Sequence, residues 1–338
     1  MKPLMKTLLA GAFSVAALSG AQAQETNLKM ATIAPGTSAY LAMTTMATLV
    51  NQALDNVNIA VDATGAATKH MIEVAEGKLD MSMTSPTVYN FMKDGTAMYS
   101  QLGNSAELAE NLRLVYWFPL GQYHIVTYAD SGIMTPADIA GKRVFLGPPG
   151  GGAWAAANKW VNILTGYEPD VDYENVDASW SSAFQGFQDR QFDVYVISGI
   201  APFPQLEQMA LTSELRLLGL SKDEFDASPA AQDFVYNVQG EELGIIPAGI
   251  YGDGVVNTDD VYTLGAVVGV TARVDLDEDL IYDITKTYWE ESKNAMGTHP
   301  WLKDVTIEYA VQDGGMSLHP GALRYYEEIG VEIPDGSR

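Results

Sequence analysis

The sequence predicts an α/β protein with mostly parallel sheets. Short apolar runs alternate with stretches of helical spacing along nearly the whole chain. Gly, Pro and small hydroxyl residues sit at the junctions where a strand would hand over to a helix. Hydrophobic residues make up 47% and aromatic residues 10%, enough to build real cores and to argue against disorder. At about 150 residues per domain, a chain of 338 residues predicts two domains.

In chain order, Leu28–Ile33 reads as a strand and Ala39–Leu54 as a helix, followed by a strand over Asn58–Asp62. Thr68–Ala75 is helical, Leu79–Met83 a strand, and Pro86 opens another helix, because Pro suits a first helical turn. Leu112–Phe118 and His124–Tyr128 read as two strands. Lys142–Leu146 is a strand that runs into Gly147-Pro148-Pro149-Gly150-Gly151-Gly152, with the helix Ala153–Leu164 directly after it. Asp193–Ile197 and Val261–Val270 complete the strands, and His319-Pro320-Gly321 reads as a helix-entry turn. No repeat and no low-complexity tract interrupts this pattern.

Residues 1–23 do not fit it. Lys2 and Lys6 form a basic start, Leu8–Leu18 is an apolar run, and Ala21-Gln22-Ala23 is an A-x-A cleavage site. The run falls short of the roughly 20 residues a membrane span needs. The expectation is an exported, soluble protein that begins at Gln24. With no Cys in the chain there is no lipid anchor, which makes the periplasm the place to retain it. The missing Cys also excludes disulfides, thiolate catalysis and Cys-based metal sites.

Charge removes further classes. Asp and Glu number 43 against 19 Lys and Arg, a formal net charge of −24, and losing Lys2 and Lys6 makes the mature chain two units more negative. Such a surface repels nucleic acid and anionic lipid, and it suits a hydrated monomer.

Three strand-to-helix loops carry the binding signal. They are Ala34-Pro35-Gly36-Thr37-Ser38-Ala39-Tyr40, Thr64-Gly65-Ala66-Ala67-Thr68 and Thr84-Ser85-Pro86-Thr87. Simple helix capping accounts for any one of them. Three in succession make a shared pocket the better reading, since ligands of such sheets sit outside the carboxyl ends of strands. Helix N-termini there would attract an anion, and Lys69 would add charge unless it faces solvent. The Gly150–Gly152 loop repeats the device, but it lacks the Gly-Lys-Ser/Thr ending of a nucleotide loop. Trp154, Trp160 and Trp180 lie nearby; Trp160, inside a helix, reads as core. His70, His124, His299 and His319 match no metal spacing, and there is no Gly-x-Ser-x-Gly elbow, so no catalytic residue, metal or cofactor is expected.

Several segments then resemble one family in order and spacing. Thr32–Tyr40 resembles an opening TGSPGGTYY loop, Thr64-Gly65-Ala66-Ala67 a TGGS loop, and Glu76-Gly77-Lys78-Leu79-Asp80 an EGxxD turn. Ile139–Val144 with Gly147–Gly152 resembles LKGKRV…GAPGSG, Ser198-Gly199-Ile200 with Pro202 and Pro204 resembles SGxPTP, and Ile246–Tyr251 resembles IPAGTY. Leu318–Gly330 resembles LHPGAxRYYxExG. The mature chain thus resembles the TAXI family of substrate-binding proteins, the extracytoplasmic receptors of one class of TRAP transporter. It departs from the pattern at Ala39, Thr87, Gly151 and Ala153, where the family carries Tyr, Asp, Ser and Thr.

The resemblance implies a two-lobed, type II-like periplasmic binding protein, each lobe a mostly parallel sheet flanked by helices, with two hinge crossings. Lobe 1 would take 24–121 plus 250–338, and lobe 2 would take 122–249. It implies a non-enzymatic receptor that captures a small organic anion (an amino acid, dicarboxylate or keto acid) for a TRAP membrane subunit. The expected binding residues are Thr37, Ser38, Tyr40, Ala67, Thr68, Ser85, Thr87, Gly150, Gly151, Gly152, Trp154, Ser198, Gly249 and Tyr251, with Tyr40, Trp154 and Tyr251 as walls. A ligand sensor for a membrane receptor is the alternative, and a secreted α/β enzyme a more distant one.

Overall fold

The structure, a computed structural model, describes residues 25–338, so the expected leader and its cleavage site lie outside the described residues. The chain opens with β1 (Thr26–Ala31), α1 (Ser38–Ala53), β2 (Val57–Asp62), α2 (Ala67–Ala75), β3 (Met81–Thr84), α3 (Pro86–Asp94) and α4 (Ser105–Ala109). β1 pairs in parallel with β2 on one side and β3 on the other. The helices between them are the crossovers that parallel pairing requires. α1 buries Ala39, Met43, Met46, Ala47 and Val50 against this sheet, and α3 stops at Gly95, which adopts the left-handed conformation that suits Gly.

β4 (Leu112–Tyr128) is one strand of 17 residues where the sequence suggests two. The Pro119-Leu120-Gly121 stretch that breaks the sequence pattern is where the strand changes partners. The elements after it are β5 (Arg143–Phe145), α5 (Gly152–Thr165), β6 (Glu174–Asn175), α6 (Trp180–Gln188), β7 (Val194–Gly199), α7 (Pro204–Ala210), β8 (Leu215–Leu218), α8 (Lys222–Asp226), α9 (Pro229–Asn237) and β9 (Glu241–Ile246). β10 (Val261–Arg273), α10 (Glu278–Ala295), α11 (Ile307–Ala310) and α12 (Pro320–Glu328) complete the chain.

The strands form one curled, mixed sheet in the order β2-β1-β3-β10-β4-β7-β5-β6, with β8 added to β4 and β9 to β10. β4 pairs through Leu112–Pro119 with β10, and through Gln122–Tyr128 with β7 and β8. β10 likewise pairs through Val261–Ala266 with β9 and through Val267–Arg273 with β4. Both long strands therefore belong to two halves of the molecule and cross between them. Parallel pairing, as expected, holds for β2-β1-β3 and β6-β5-β7, whereas the crossing strands are antiparallel. Gly121, at the crossing in β4, has φ +99°, and a Cβ there would lie 2.2 Å from the Gly199 carbonyl carbon, so only Gly fits.

The core is apolar and aromatic. Tyr116 stacks on Tyr288 at 4.8 Å between ring centroids, and Trp289 donates to the Tyr326 hydroxyl at 2.9 Å, which ties α10 and α12 to β4. In the second half, Phe145 from β5 and Phe187 from α6 both stack on Tyr195 of β7. Trp160 is buried and faces Phe234, the core role read from its helical position. His319 caps α12 by accepting from the Gly321 amide, so the helix-entry turn forms as expected.

A candidate ligand cleft between the two halves

A cavity of about 100 Å³ lies where the strand-to-helix loops of both halves meet. The first half contributes Thr37 from the loop before α1, Gly65–Thr68 before α2, and Ser85, Thr87 and Val88 at the start of α3. The second contributes Pro148 and Gly151–Ala153 at the start of α5, Trp180 at the start of α6, and Ser198 at the end of β7. The crossing strands form the floor with Leu120, Tyr123 and Ala266–Val268. Gly240 and Glu241 close one side.

Local capping decides which amides remain for a ligand. Thr37 accepts from the Tyr40 amide and Ser85 from the Val88 amide, so α1 and α3 are capped by their own side chains. The N-caps of α2 and α5 are Ala66 and Gly151, which offer no side-chain acceptor. The first turns of these two helices line the cavity with amides that no side chain caps and with the partial positive charge of a helix N-terminus. Among the described residues no Lys or Arg joins the lining. Lys69 is exposed and pairs with Glu73 at 3.3 Å, the solvent-facing alternative for that residue.

Among the described residues Glu241 is the one carboxylate in the wall, and it is only 8% exposed. Its Oε1 accepts from the Thr87 hydroxyl at 3.0 Å, while its Oε2 is buried with no protein partner. Burial pushes this carboxyl up to about 7, with Thr87 opposing the shift.

Contacts across the cavity hold the halves together. The Ile200 amide donates to Ser38 Oγ at 3.3 Å, Thr87 reaches Glu241, and Asn90 donates to Gln239 Oε1 at 2.9 Å. α5 approaches α3 so closely that a Cβ on Gly152 would lie 2.4 Å from Val88 Cγ2.

Of the residues expected from sequence, Thr37, Ala67, Thr68, Ser85, Thr87, Gly151, Gly152 and Ser198 line this one cavity. Ser38, Tyr40, Gly150, Trp154, Gly249 and Tyr251 do not. Ser38 serves the contact to Ile200, Tyr40 is half-buried on α1 outside the lining, and Trp154 donates to Asn175 at 3.1 Å. Gly150 and Gly249 are exposed loop residues. Tyr251 belongs to a buried cluster: its hydroxyl accepts from the Phe203 amide at 2.9 Å and donates to His124 Nε2 at 2.7 Å, while His124 Nδ1 donates to the Gln122 carbonyl. Burial lowers His124 to about 4, so its ring is neutral, as this donor pattern requires.

Tyr123, Trp180, Gly240 and Glu241 are wall residues absent from the expected set. Trp180 stands out in the sequence as an aromatic residue near the triple glycine, but nothing around Glu241-Glu242 distinguishes them from the many other acids. Among the described residues there is no cluster of three potential metal ligands, and no helix is long and apolar enough to cross a membrane.

Comparison with solved structures places this architecture. The alkanesulfonate-binding protein SsuA from Xanthomonas axonopodis pv. citri, bound to MOPS, aligns with TM-score 0.50 at 14% identity, over 90% of this chain and 84% of that one. A protein of Bordetella bronchiseptica RB50 aligns with TM-score 0.50 at 12% identity, over 91% and 85%. A TRAP periplasmic solute binding protein from Chromohalobacter salexigens DSM 3043, with bound D-glucuronate, aligns with TM-score 0.47 at 12% identity, over 90% and 87%. The first two matches show the fold, a two-lobed type II-like periplasmic binding protein. A family model described as the NMT1-like family matches residues 30–330, and the chain belongs to that family.

Proposed function

We propose that this protein is a periplasmic solute receptor that closes around one small organic molecule and presents it to the membrane component of a transporter. One observation carries the reading: a single cavity is lined by strand-to-helix loops from both halves of a sheet that β4 and β10 cross from one half to the other. A solute that touches both halves at once stabilises the closed form, and this is how binding becomes a signal to a partner.

The family resemblance puts lobe 1 at 24–121 plus 250–338 and lobe 2 at 122–249. The exchange of partners in β10 supports a return near Ala266–Val267 rather than at 250. The uncapped N-termini of α2 and α5 support a solute with an anionic end, held by amides and by the hydroxyls of Thr68 and Ser198. The ordered TAXI-like segments support a TRAP membrane subunit as the receiver.

Calorimetry on the purified protein with small carboxylates, amino acids and sulfonates tests this. The expected result is one-to-one binding of one class, a matching rise in thermal stability, and recovery of the solute unchanged. Chemical conversion of the bound solute would establish the enzyme instead.

A further inference from the structure

Glu241 and Glu242 are consecutive acids at the start of β9, and both are drawn into the protein. Glu242 finds a partner, because Tyr309 donates to its Oε2 at 2.9 Å. Glu241 is satisfied on one oxygen only. Thr87 donates to Oε1, and Oε2 stays buried and unpartnered on a residue that forms the cavity wall. A buried carboxylate without a cation or a full set of donors is costly, so such groups in native proteins are normally paired.

The position is held firmly. Gly240, at φ +93°, presses its backbone against the start of α3, where an added Cβ would lie 2.9 Å from both Pro86 and Thr87. Among the described residues no Lys or Arg lines the cavity to answer the charge. The groups that act on it besides its burial are the Thr87 hydroxyl from α3, Tyr123 from β4 and the like-charged Glu242 next to it in β9.

We infer that Glu241 is a specificity-determining residue that receives a primary ammonium group of the solute at Oε2. This rests on the receptor reading and narrows it. The amides of α2 and α5 take an acidic end and Glu241 takes an amino end, so the cleft prefers zwitterions to the matching oxo or hydroxy acids. A second carboxylate placed near Glu241 would meet like charge, which disfavours dicarboxylates.

Matched pairs of probes test this: alanine with pyruvate, glutamate with 2-oxoglutarate, and taurine with 2-hydroxyethanesulfonate. Affinities are measured by calorimetry at pH 8 on wild-type protein and on Glu241→Gln. The amino member of the binding pair is expected to bind at least about tenfold more tightly in wild type. Glu241→Gln is expected to lose about tenfold or more for that member, because the amide turns an N–H toward the ammonium, and to lose nothing for its oxo or hydroxy partner. Equal or tighter binding of the oxo or hydroxy member by wild type would overturn the assignment and leave the receptor reading intact. Unchanged affinities in a folded Glu241→Gln would do the same. Wild-type protein that binds no member of any pair would overturn both. The pair preference of wild type needs no variant, so a Glu241→Gln protein that fails to fold still leaves the assignment open to refutation.

Discussion

At the scale of single residues, position relative to a partner decides what a side chain does. Glu241 illustrates this through its protonation. Its carboxyl is raised from an ordinary value of 4.5 to about 7, chiefly by burial. Between those values the folded chain holds a proton that the unfolded chain has released, so this residue's contribution to stability is present at low pH and is lost as pH rises through 7. The shift corresponds to about 3 kcal/mol. The prediction is that the stability difference between Glu241→Gln and wild type, followed by urea unfolding without solute, moves in favour of the variant as pH climbs from 4.5 to 8. His124 and His319, both lowered to about 4 by burial, act in the opposite sense below pH 6.5. They are common to both proteins and cancel in the difference. A difference that stays flat with pH would show Glu241 to be unstrained by its burial.

Elements show why some of the site was readable in advance and some was not. Thr37, Ser85 and the Gly151-Gly152 turn are local devices: a hydroxyl or Gly between an apolar run and a helical pattern marks a junction, and such junctions share one end of a parallel sheet. Glu241 sits at the start of β9, far from those junctions in sequence, and reaches the cavity only because β9 adds to β10. Tyr251 shows the converse, since it stands in a segment that resembles a family loop yet its hydroxyl turns inward to His124. β4 was legible as apolar but not as one strand, because the Pro119-Leu120-Gly121 break that marks its change of pairing partner reads like the end of one strand and the start of another. The meeting of α5 with α3 is an element-scale contact with a clear test. Any Cβ at Gly152 would overlap Val88 Cγ2, so Gly152→Val should hold the halves apart with the helix intact. The expected result is a solute affinity lower by about tenfold, or about 1.4 kcal/mol, and recovery of most of it in Gly152→Val combined with Val88→Ala. Loss of affinity without recovery would mean that the added side chain obstructs the solute itself rather than the approach of α5 to α3.

For the molecule as a whole, the balance between open and closed forms sets function, and charge enters at this scale. The chain carries a formal charge of −24, and acids outnumber bases on both sides of the β4 and β10 crossings. The halves therefore repel one another, while the bridges Ser38–Ile200, Thr87–Glu241 and Asn90–Gln239 pull them together. Each bridge is a single hydrogen bond with a net value of about 1 kcal/mol, small enough for the repulsion to compete. Repulsion reaches about 30 Å at 0.01 M salt and only about 8 Å at 0.15 M, whereas hydrogen bonds within the cavity are barely screened. Small-angle scattering of the solute-free protein should accordingly give a larger radius of gyration at low salt than at physiological salt. A saturating solute, identified by calorimetry, should bring both to the same smaller value, because its contacts to both halves outweigh the field. Curves that superpose across salt and solute would show one fixed arrangement and would remove hinge closure from the mechanism.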